Sequence, residues 1–133
     1  MTPRIEHVAL WTSNLERMRA FYEQYFDARA GTLYRSATRA GFASYFLSFP
    51  DRGGRLELMT VPEIAPAAST TPFTGYAHIA VTVGPRANVD ALTERMRRDG
   101  VRVISGPRQT GDGYYESVVA DPDGNEVELV AEM

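Results

Sequence analysis

Residues 7–10 have the sequence HVAL, and residues 78–81 have the closely similar sequence HIAV. The same shift along the chain (78 − 7 = 71) aligns residues 56–58, LEL, with residues 127–129, VEL, without a gap. The shift also aligns apolar residues at helical spacing: Met18, Phe21 and Tyr25 with Val89, Leu92 and Met96. Several patterns that recur at one offset are typical of a duplicated structural unit. The chain is therefore predicted to contain two copies of one unit.

The first copy is predicted to have the order βαβββ. An apolar strand at residues 5–11 precedes a helix from Leu15 to Tyr25, which Ser13 or Asn14 can cap through a side-chain oxygen. Three further strands follow, at residues 32–36, 42–49 and 55–61, with a hairpin turn at residues 51–54.

The second copy repeats this order. It has predicted strands at residues 76–83, 102–105, 115–120 and 126–130, a helix at residues 88–99 that ends at Gly100, and a hairpin turn at residues 121–124. Residues 62–75, which are rich in Pro, Ala, Ser and Thr, are predicted to be a linker. We therefore expect one α+β domain, residues 1–133, with module one at 1–61 and module two at 76–133.

Composition excludes several classes of function. The net charge of −3 comes from 14 basic and 17 acidic residues, without a basic stripe that could follow a nucleic acid. There is no cysteine, so disulfides and thiolate ligands are excluded. No apolar run approaches the roughly 20 residues that cross a membrane, and the N-terminus lacks a signal-peptide pattern. A cytoplasmic protein that binds neither nucleic acid nor membrane is expected.

The repeat places one His and one Glu at equivalent positions of each half. Glu57 follows His7, and Glu128 follows His78, by the same number of residues (57 − 7 = 50 and 128 − 78 = 50). All four lie in apolar strands, where an ionised carboxylate is costly unless it is paired or binds a metal. Two His and two carboxylates suit Zn²⁺, Ni²⁺, Co²⁺, Fe²⁺ or Mn²⁺. The four residues are therefore candidate ligands of one divalent metal ion.

Other assignments of these polar residues remain open. A single His in a strand is more often structural than a ligand, and a strand Glu can simply face solvent. Glu126 shares a strand face with Glu128 and competes with it, but the repeat pairs Glu126 with Arg55. Glu6 and Glu116 are expected to be solvated. The aromatic residues of the first helix are expected to form its core and surface: Phe21, Tyr22, Tyr25 and Phe26.

Four segments make the chain resemble the vicinal oxygen chelate superfamily of glyoxalase I, bleomycin-binding proteins and extradiol dioxygenases: IEHVALWTSNLERMRAFYEQYF, GRLELM, YAHIAVTV and DPDGNEVELV. The resemblance covers essentially the whole chain. It implies an incurved mixed β-sheet built from the two modules, often in a homodimer. A carboxylate at Glu57 is similar to the glyoxalase I branch, and the implied ligands are His7, Glu57, His78 and Glu128.

Two positions depart from the glutathione-dependent enzyme that the chain resembles. That enzyme has an Arg and an Asn where this chain has Trp11 and Val61, so two polar anchors for glutathione are missing. Residues 106–115 correspond to the family's substrate loop. The candidate substrate contacts are Trp11, Arg108, Tyr114 and Tyr115.

The expected function is that of a metal-dependent lyase or isomerase acting on a small substrate with vicinal oxygens, through an enediolate that the metal stabilises. Glu128 is the expected base, helped by Glu57, and Zn²⁺ or Ni²⁺ is the expected metal. A binding protein that sequesters a drug or metabolite without turnover is one alternative. An Fe²⁺ dioxygenase that uses His7, His78 and Glu128 is another. A homodimer is expected.

Overall fold

The computed structural model describes residues 1–67 and 72–133. Residues 68–71, which belong to the predicted linker, lie outside the described residues. The chain divides into two compact units, Met1–Ala68 and Ser69–Met133.

The first unit contains one helix and a mixed sheet. Its elements are β1 (His7–Trp11), α1 (Leu15–Phe26), β2 (Arg29–Ala30), β3 (Tyr34–Arg35), β4 (Ala43–Ser48) and β5 (Arg55–Thr60). Strand β1 pairs in parallel with β5, and β5 pairs antiparallel with β4. Strands β2 and β3 both pair antiparallel with β4, so the order is β1-β5-β4-β2 with β3 also on β4.

The second unit has the same topology. Its elements are β6 (His78–Thr82), α2 (Arg86–Arg98), β7 (Val103–Gln109), β8 (Tyr115–Ala120) and β9 (Glu126–Val130). The strand order is β6-β9-β8-β7, with β6 parallel to β9 and the other neighbours antiparallel. The predicted α+β class and the duplicated module are confirmed, with one mixed sheet in each unit among the described residues.

In each sheet, the edge strand that pairs with β4 or β8 differs from the prediction. In the first unit it consists of two pieces, because β2 and β3 pair with opposite ends of β4 and residues 31–33 interrupt them. In the second unit β7 does not end at Ser105 but continues to Gln109, with register shifts on either side of Ser105. The family resemblance implied a loop from residue 106 onward, yet Gly106 and Pro107 are tolerated on a strand at the edge of a sheet and at bulges.

Local signals set the ends of the helices. The Asn14 side chain accepts a hydrogen bond from the Arg17 N–H at 3.0 Å and so caps α1, as predicted. Helix α2 begins at Arg86, two residues before its predicted start, directly after Pro85. It stops before Gly100, which has a φ of 86° that other residues rarely adopt.

One face of each sheet packs on the helix of its own unit and forms the core. Leu58 and Leu129, which are equivalent under the repeat, are both fully buried in this layer. They lie with other fully buried side chains, namely Met18, Tyr22, Leu47, Val89, Met96, Val119 and Val127. Side chains alternate along a strand, so the residues between them belong to the opposite face, which carries the candidate ligands.

Among the described residues, neither helix is long and apolar enough to cross a membrane.

Truncation of the equivalent core residues is expected to destabilise the protein to a similar degree. Leu58→Ala and Leu129→Ala should each lower the free energy of unfolding by about 2–5 kcal/mol, because each leaves a cavity in a packed core. Ile5→Ala, at a side chain that is 73% exposed, is the control and should cost less than about 0.5 kcal/mol. Urea denaturation measures all three; a loss below about 1 kcal/mol for either Leu would contradict the core assignment.

Candidate functional site

The first unit brings His7 and Glu57 together. His7 begins β1 and Glu57 lies on the adjacent parallel strand β5, where the register sets Ala9 opposite Glu57. His7 and Glu57 are therefore diagonal neighbours on the face away from α1. The imidazole Nε2 is 3.6 Å from Glu57 Oε1, and the two side chains are 38% and 15% exposed.

The second unit repeats this arrangement with His78 and Glu128. His78 begins β6, and the parallel register with β9 sets Ala80 opposite Glu128. His78 Nε2 is 3.3 Å from Glu128 Oε1, and the side chains are 39% and 21% exposed. Glu126, the competing carboxylate, lies on the same face but is exposed and stands opposite His78 in the register. The geometry selects Glu128 as the partner of His78.

Each unit supplies one imidazole and one carboxylate, a donor set that suits borderline divalent metals. In residues 1–67 and 72–133, no group of three or more His, Cys, Asp or Glu side chains lies close enough to hold a metal ion. A single pair offers only two of the four ligands that Zn²⁺ commonly takes. Neither pair by itself is therefore a complete metal site.

The imidazole of His7 has a second carboxylate partner, Glu6. Glu6 Oε1 lies 3.2 Å from His7 Nδ1 and also accepts a charged hydrogen bond from Arg55. The Arg55 guanidinium, and secondarily the His7 ring, lower the pKa of Glu6 below its usual range. Glu6 is exposed, as predicted, but it is tied to its neighbours. The second unit has Ala77 at the equivalent position, so this support is specific to His7.

The prediction that Glu116 is solvated is wrong. Glu116 is only 7% exposed, and its Oε2 has no hydrogen-bond partner among the described residues. It lies on β8 two residues from Val118, which stands opposite Glu128, so it shares the open face with the candidate ligands. Within the second unit this face forms a cavity of about 380 Å³ lined by His78, Ala80, Thr82, Asp112, Tyr114, Glu116, Glu128 and Val130.

Glu116 also changes the environment of Glu128. Burial raises the pKa of Glu128 above its usual range, and the charge of His78 opposes this increase. The charge of Glu116 and a hydrogen bond with its carboxyl group raise the pKa further. The position equivalent to Glu116 in the first unit holds Ser44, so Glu57 lacks the corresponding carboxylate neighbour on β4. The two candidate ligand carboxylates therefore differ in their surroundings although they are equivalent under the repeat.

The four candidate substrate contacts lie in different surroundings. Tyr114 lines the cavity of the second unit, and Trp11 lies on the same face of β1 as His7, 46% exposed. Arg108 belongs to β7 rather than to a loop, and its Nη1 donates to the main-chain oxygen of Glu116 at 3.5 Å. Tyr115 points to the other face of β8, where its hydroxyl donates to Asp90 of α2 at 2.5 Å. Tyr115 is therefore not among the residues that line the cavity.

Sequence analysis missed Glu116 because residues 115–120 carry polar side chains on both faces of the strand. The register resolves this ambiguity. Glu116 stands opposite Val130, and Ser44 stands opposite Met59, the residue equivalent to Val130 under the repeat. Ser44 is 1% exposed, and its Oγ likewise has no partner among the described residues. Strands β4 and β8 thus match at an offset of 72 (116 − 44), so the repeat needs a one-residue gap in this part.

Comparison with known proteins agrees with this architecture. The family model of the Glyoxalase/Bleomycin resistance protein/Dioxygenase superfamily matches residues 4–129. The chain belongs to this superfamily, as its resemblance predicted.

Solved structures show the same fold at low sequence identity. A glyoxalase/bleomycin resistance protein/dioxygenase domain from Frankia sp. EAN1pec has a TM-score of 0.82 and 16% identity, over all of both chains. Glyoxalase I of Leishmania major, described as trypanothione-dependent, has a TM-score of 0.77 and 22% identity, over 98% of this chain and 88% of that one. Glyoxalase I of Zea mays has a TM-score of 0.79 and 21% identity, over 98% of this chain and 46% of that one.

A curated relative has no stated function. The uncharacterized protein YqjT of Bacillus subtilis (strain 168) is 38% identical over 60 residues, which are 43% of this chain and 47% of that protein. The match thus spans about half the length of that relative.

The contact with Glu6 is expected to select one tautomer of His7. Glu6 Oε1 lies within hydrogen-bond distance of Nδ1 at 3.2 Å, whereas Glu57 Oε1 is 3.6 Å from Nε2, so neutral His7 should carry its proton on Nδ1. Long-range ¹H–¹⁵N NMR of the metal-free protein measures this, and Glu6→Ala should increase the Nε2–H form. His78 is the internal control in both spectra. A dominant Nε2–H form of His7 in the unsubstituted protein would contradict the assignment.

Proposed function

We propose that this protein is a divalent-metal-dependent lyase or isomerase that acts on a small substrate with two adjacent oxygen atoms. One observation carries the proposal: a His and a Glu face each other at equivalent places in both units, with Nε2 to Oε1 distances of 3.6 Å and 3.3 Å. Folding alone does not require this polar pair in either unit, because the core of each sheet lies on its other face. Its presence in both units therefore favours a role in binding. The glyoxalase I enzymes among the similar structures support the same class of reaction.

The proposed metal ligands are His7, Glu57, His78 and Glu128. The donor set fits Zn²⁺ or Ni²⁺ best, and Co²⁺, Mn²⁺ or Fe²⁺ are also compatible with it. Partial burial of Glu57 and Glu128, at 15% and 21% exposure, favours a bound cation because it limits compensation by water. We further propose that the protein acts as a homodimer, as family members often do.

The chemistry divides between the ion and the carboxylates. A divalent ion, when bound, supplies positive charge that stabilises the anion left on the substrate oxygens after a proton leaves the adjacent carbon. Glu128, which lines the cavity of the second unit, is the proposed base for this proton, and Glu57 assists it. Tyr114 lines the same cavity and is proposed to contact the substrate.

A glutathione adduct is possible as the substrate but is not favoured. Trp11 occupies one place where the glutathione enzyme has a polar anchor. Its ring contacts Phe42, with ring centroids 6.2 Å apart, and the Arg39 guanidinium lies 5.5 Å from the centroid of the Trp11 ring. Val61 occupies the other place. An aromatic wall with one cation suits a small organic molecule better than a peptide with several charges.

Two rival functions make different demands on Glu57. A three-ligand Fe²⁺ dioxygenase would not need this carboxylate, and a metal-free binding protein would need neither pair. The pairing of Glu57 with His7 matches that of Glu128 with His78, and this equivalence supports a site with four ligands.

Metal binding is expected to depend on all four residues together. The purified protein should bind one Ni²⁺ or Zn²⁺ per chain, and His7→Ala, Glu57→Gln, His78→Ala or Glu128→Gln should each weaken binding at least about tenfold, since loss of even an indirect metal contact costs that much. Calorimetric titration and elemental analysis measure both quantities. Glu126→Gln, at an exposed carboxylate on the same strand face, is the matched control and should bind normally.

Each departure from these expected metal-binding results would point to a different conclusion. Two ions per chain would show independent pairs instead of one four-ligand site. Normal affinity in Glu57→Gln would favour the dioxygenase, and unchanged metal content in a His78→Ala, Glu128→Gln double variant would exclude the proposed site.

The proposed reaction predicts metal-dependent proton exchange at carbon. Protein loaded with Ni²⁺ or Zn²⁺ should catalyse exchange of the protons on the hydroxyl-bearing carbon of hydroxyacetone for solvent deuterium. Glu128→Gln should slow this exchange by about 10²-fold or more, the usual contribution of a general base. NMR in deuterated water follows the loss of the proton signal. The methylglyoxal–glutathione adduct is the comparison substrate and should react no faster. Efficient turnover of the adduct would overturn the preference for a substrate without glutathione, and absence of exchange with either metal would favour a binding protein.

A further inference from the structure

Glu116 is a buried carboxylate that the fold does not explain. It is 7% exposed, its Oε2 lacks a partner among the described residues, and it belongs to the lining of the 380 Å³ cavity. A buried carboxylate without a hydrogen-bond donor is costly. The equivalent position of the first unit holds Ser44, so this place in the sheet does not require a carboxylate. Glu116 is therefore better explained by a ligand than by folding.

The cavity lining around Glu116 is acidic. Three carboxylates line it, those of Asp112, Glu116 and Glu128, together with the single imidazole of His78. The proposed metal would compensate Glu128, whereas Asp112 is exposed and accepts a hydrogen bond from Thr110. Arg108 is nearby and its charge acts on Glu128, but its Nη1 donates to the main-chain oxygen of Glu116. Glu116 shares a hydrogen bond with the carboxyl group of Glu128, but its Oε2 still has no partner among the described residues. The missing partner of Oε2 is therefore a hydrogen-bond donor that the described residues do not supply, and the acidic lining favours a positively charged one.

We propose that Glu116 is a specificity-determining residue that binds an ammonium group of the substrate, next to the two oxygens that define the substrate class. The inference rests on the proposed function for those two oxygens. The ammonium group would donate to Glu116 Oε2, and Tyr114, on the same lining, would lie at the open side of the bound molecule. A charged hydrogen bond in a largely buried place discriminates strongly against a ligand that lacks the donor.

Three small acids test the proposal because they differ only in the group that carbon 3 carries. Isoserine, glycerate and lactate are 2-hydroxy acids with the same vicinal oxygens, and they carry an ammonium group, a hydroxyl group and a hydrogen at carbon 3, respectively. The Ni²⁺-loaded protein should bind isoserine about tenfold more tightly than lactate, with glycerate between them. Glu116→Gln should remove most of this difference between isoserine and lactate. Glu126→Gln, which removes one exposed charge from the same sheet face, should preserve it.

Thermal unfolding of the metal-free variants separates a binding role from a structural one. Glu116→Gln and Glu116→Leu should unfold at the same temperature as the unsubstituted protein or at a higher one, because they remove the charge beside Glu128 and a buried carboxylate oxygen that accepts no hydrogen bond. A clear loss of stability in both variants would assign Glu116 a structural role and overturn the proposal.

The binding series has equally definite outcomes. Equal affinity for isoserine and lactate, tightest binding of glycerate, or binding of none of the three acids would each overturn the proposal. Failure to bind Ni²⁺ is measured separately and would overturn the proposed function, while the comparison of isoserine with lactate in the metal-free protein would still report on Glu116.

Discussion

Parallel pairing between the first and last strands of each unit is the constraint on which the rest of the structure depends. Strands β1 and β5 pair in this way, and so do β6 and β9. Parallel neighbours need a long connection, and here a helix and the remaining strands of the unit provide it. Because the register is the same in both units, a His at the start of one strand always meets a Glu two places further along its neighbour. The polar pairs are thus a direct result of strand pairing.

The two faces of each sheet satisfy different requirements. The helix-facing side buries Leu58 and Leu129 completely and stabilises the unit. The opposite side carries imidazoles, carboxylates and, at Glu116 and Ser44, buried polar atoms without partners among the described residues. Core side chains and candidate ligands alternate along the same strands, so a substitution on one face of the sheet need not disturb the other face. This separation explains how a duplicated module can diverge chemically while its fold persists.

Prediction from sequence succeeded where a feature repeats and failed where the halves differ. The strands that carry His7 and His78, with their Glu partners, were predictable because two independent stretches agree. The full length of the edge strand β7 was not, because residues 106–109 were assigned to a loop by resemblance and only their pairing with β8 shows that they form a strand. Glu116 was misjudged for a related reason. In sequence it is one polar residue among several, and only pairing with β9 shows which side of β8 it occupies.

The sequence by itself determined the duplicated module, the strand and helix order, and the four residues that the two copies share, because periodicity and turn chemistry are local properties. Only the tertiary structure decided which carboxylate faces each imidazole, that Glu6 supports His7, and that Glu116 is buried beside Glu128. These facts depend on the register of strands that are distant along the chain. A shift of one residue in that register would move every side chain of the shifted strand to the other face.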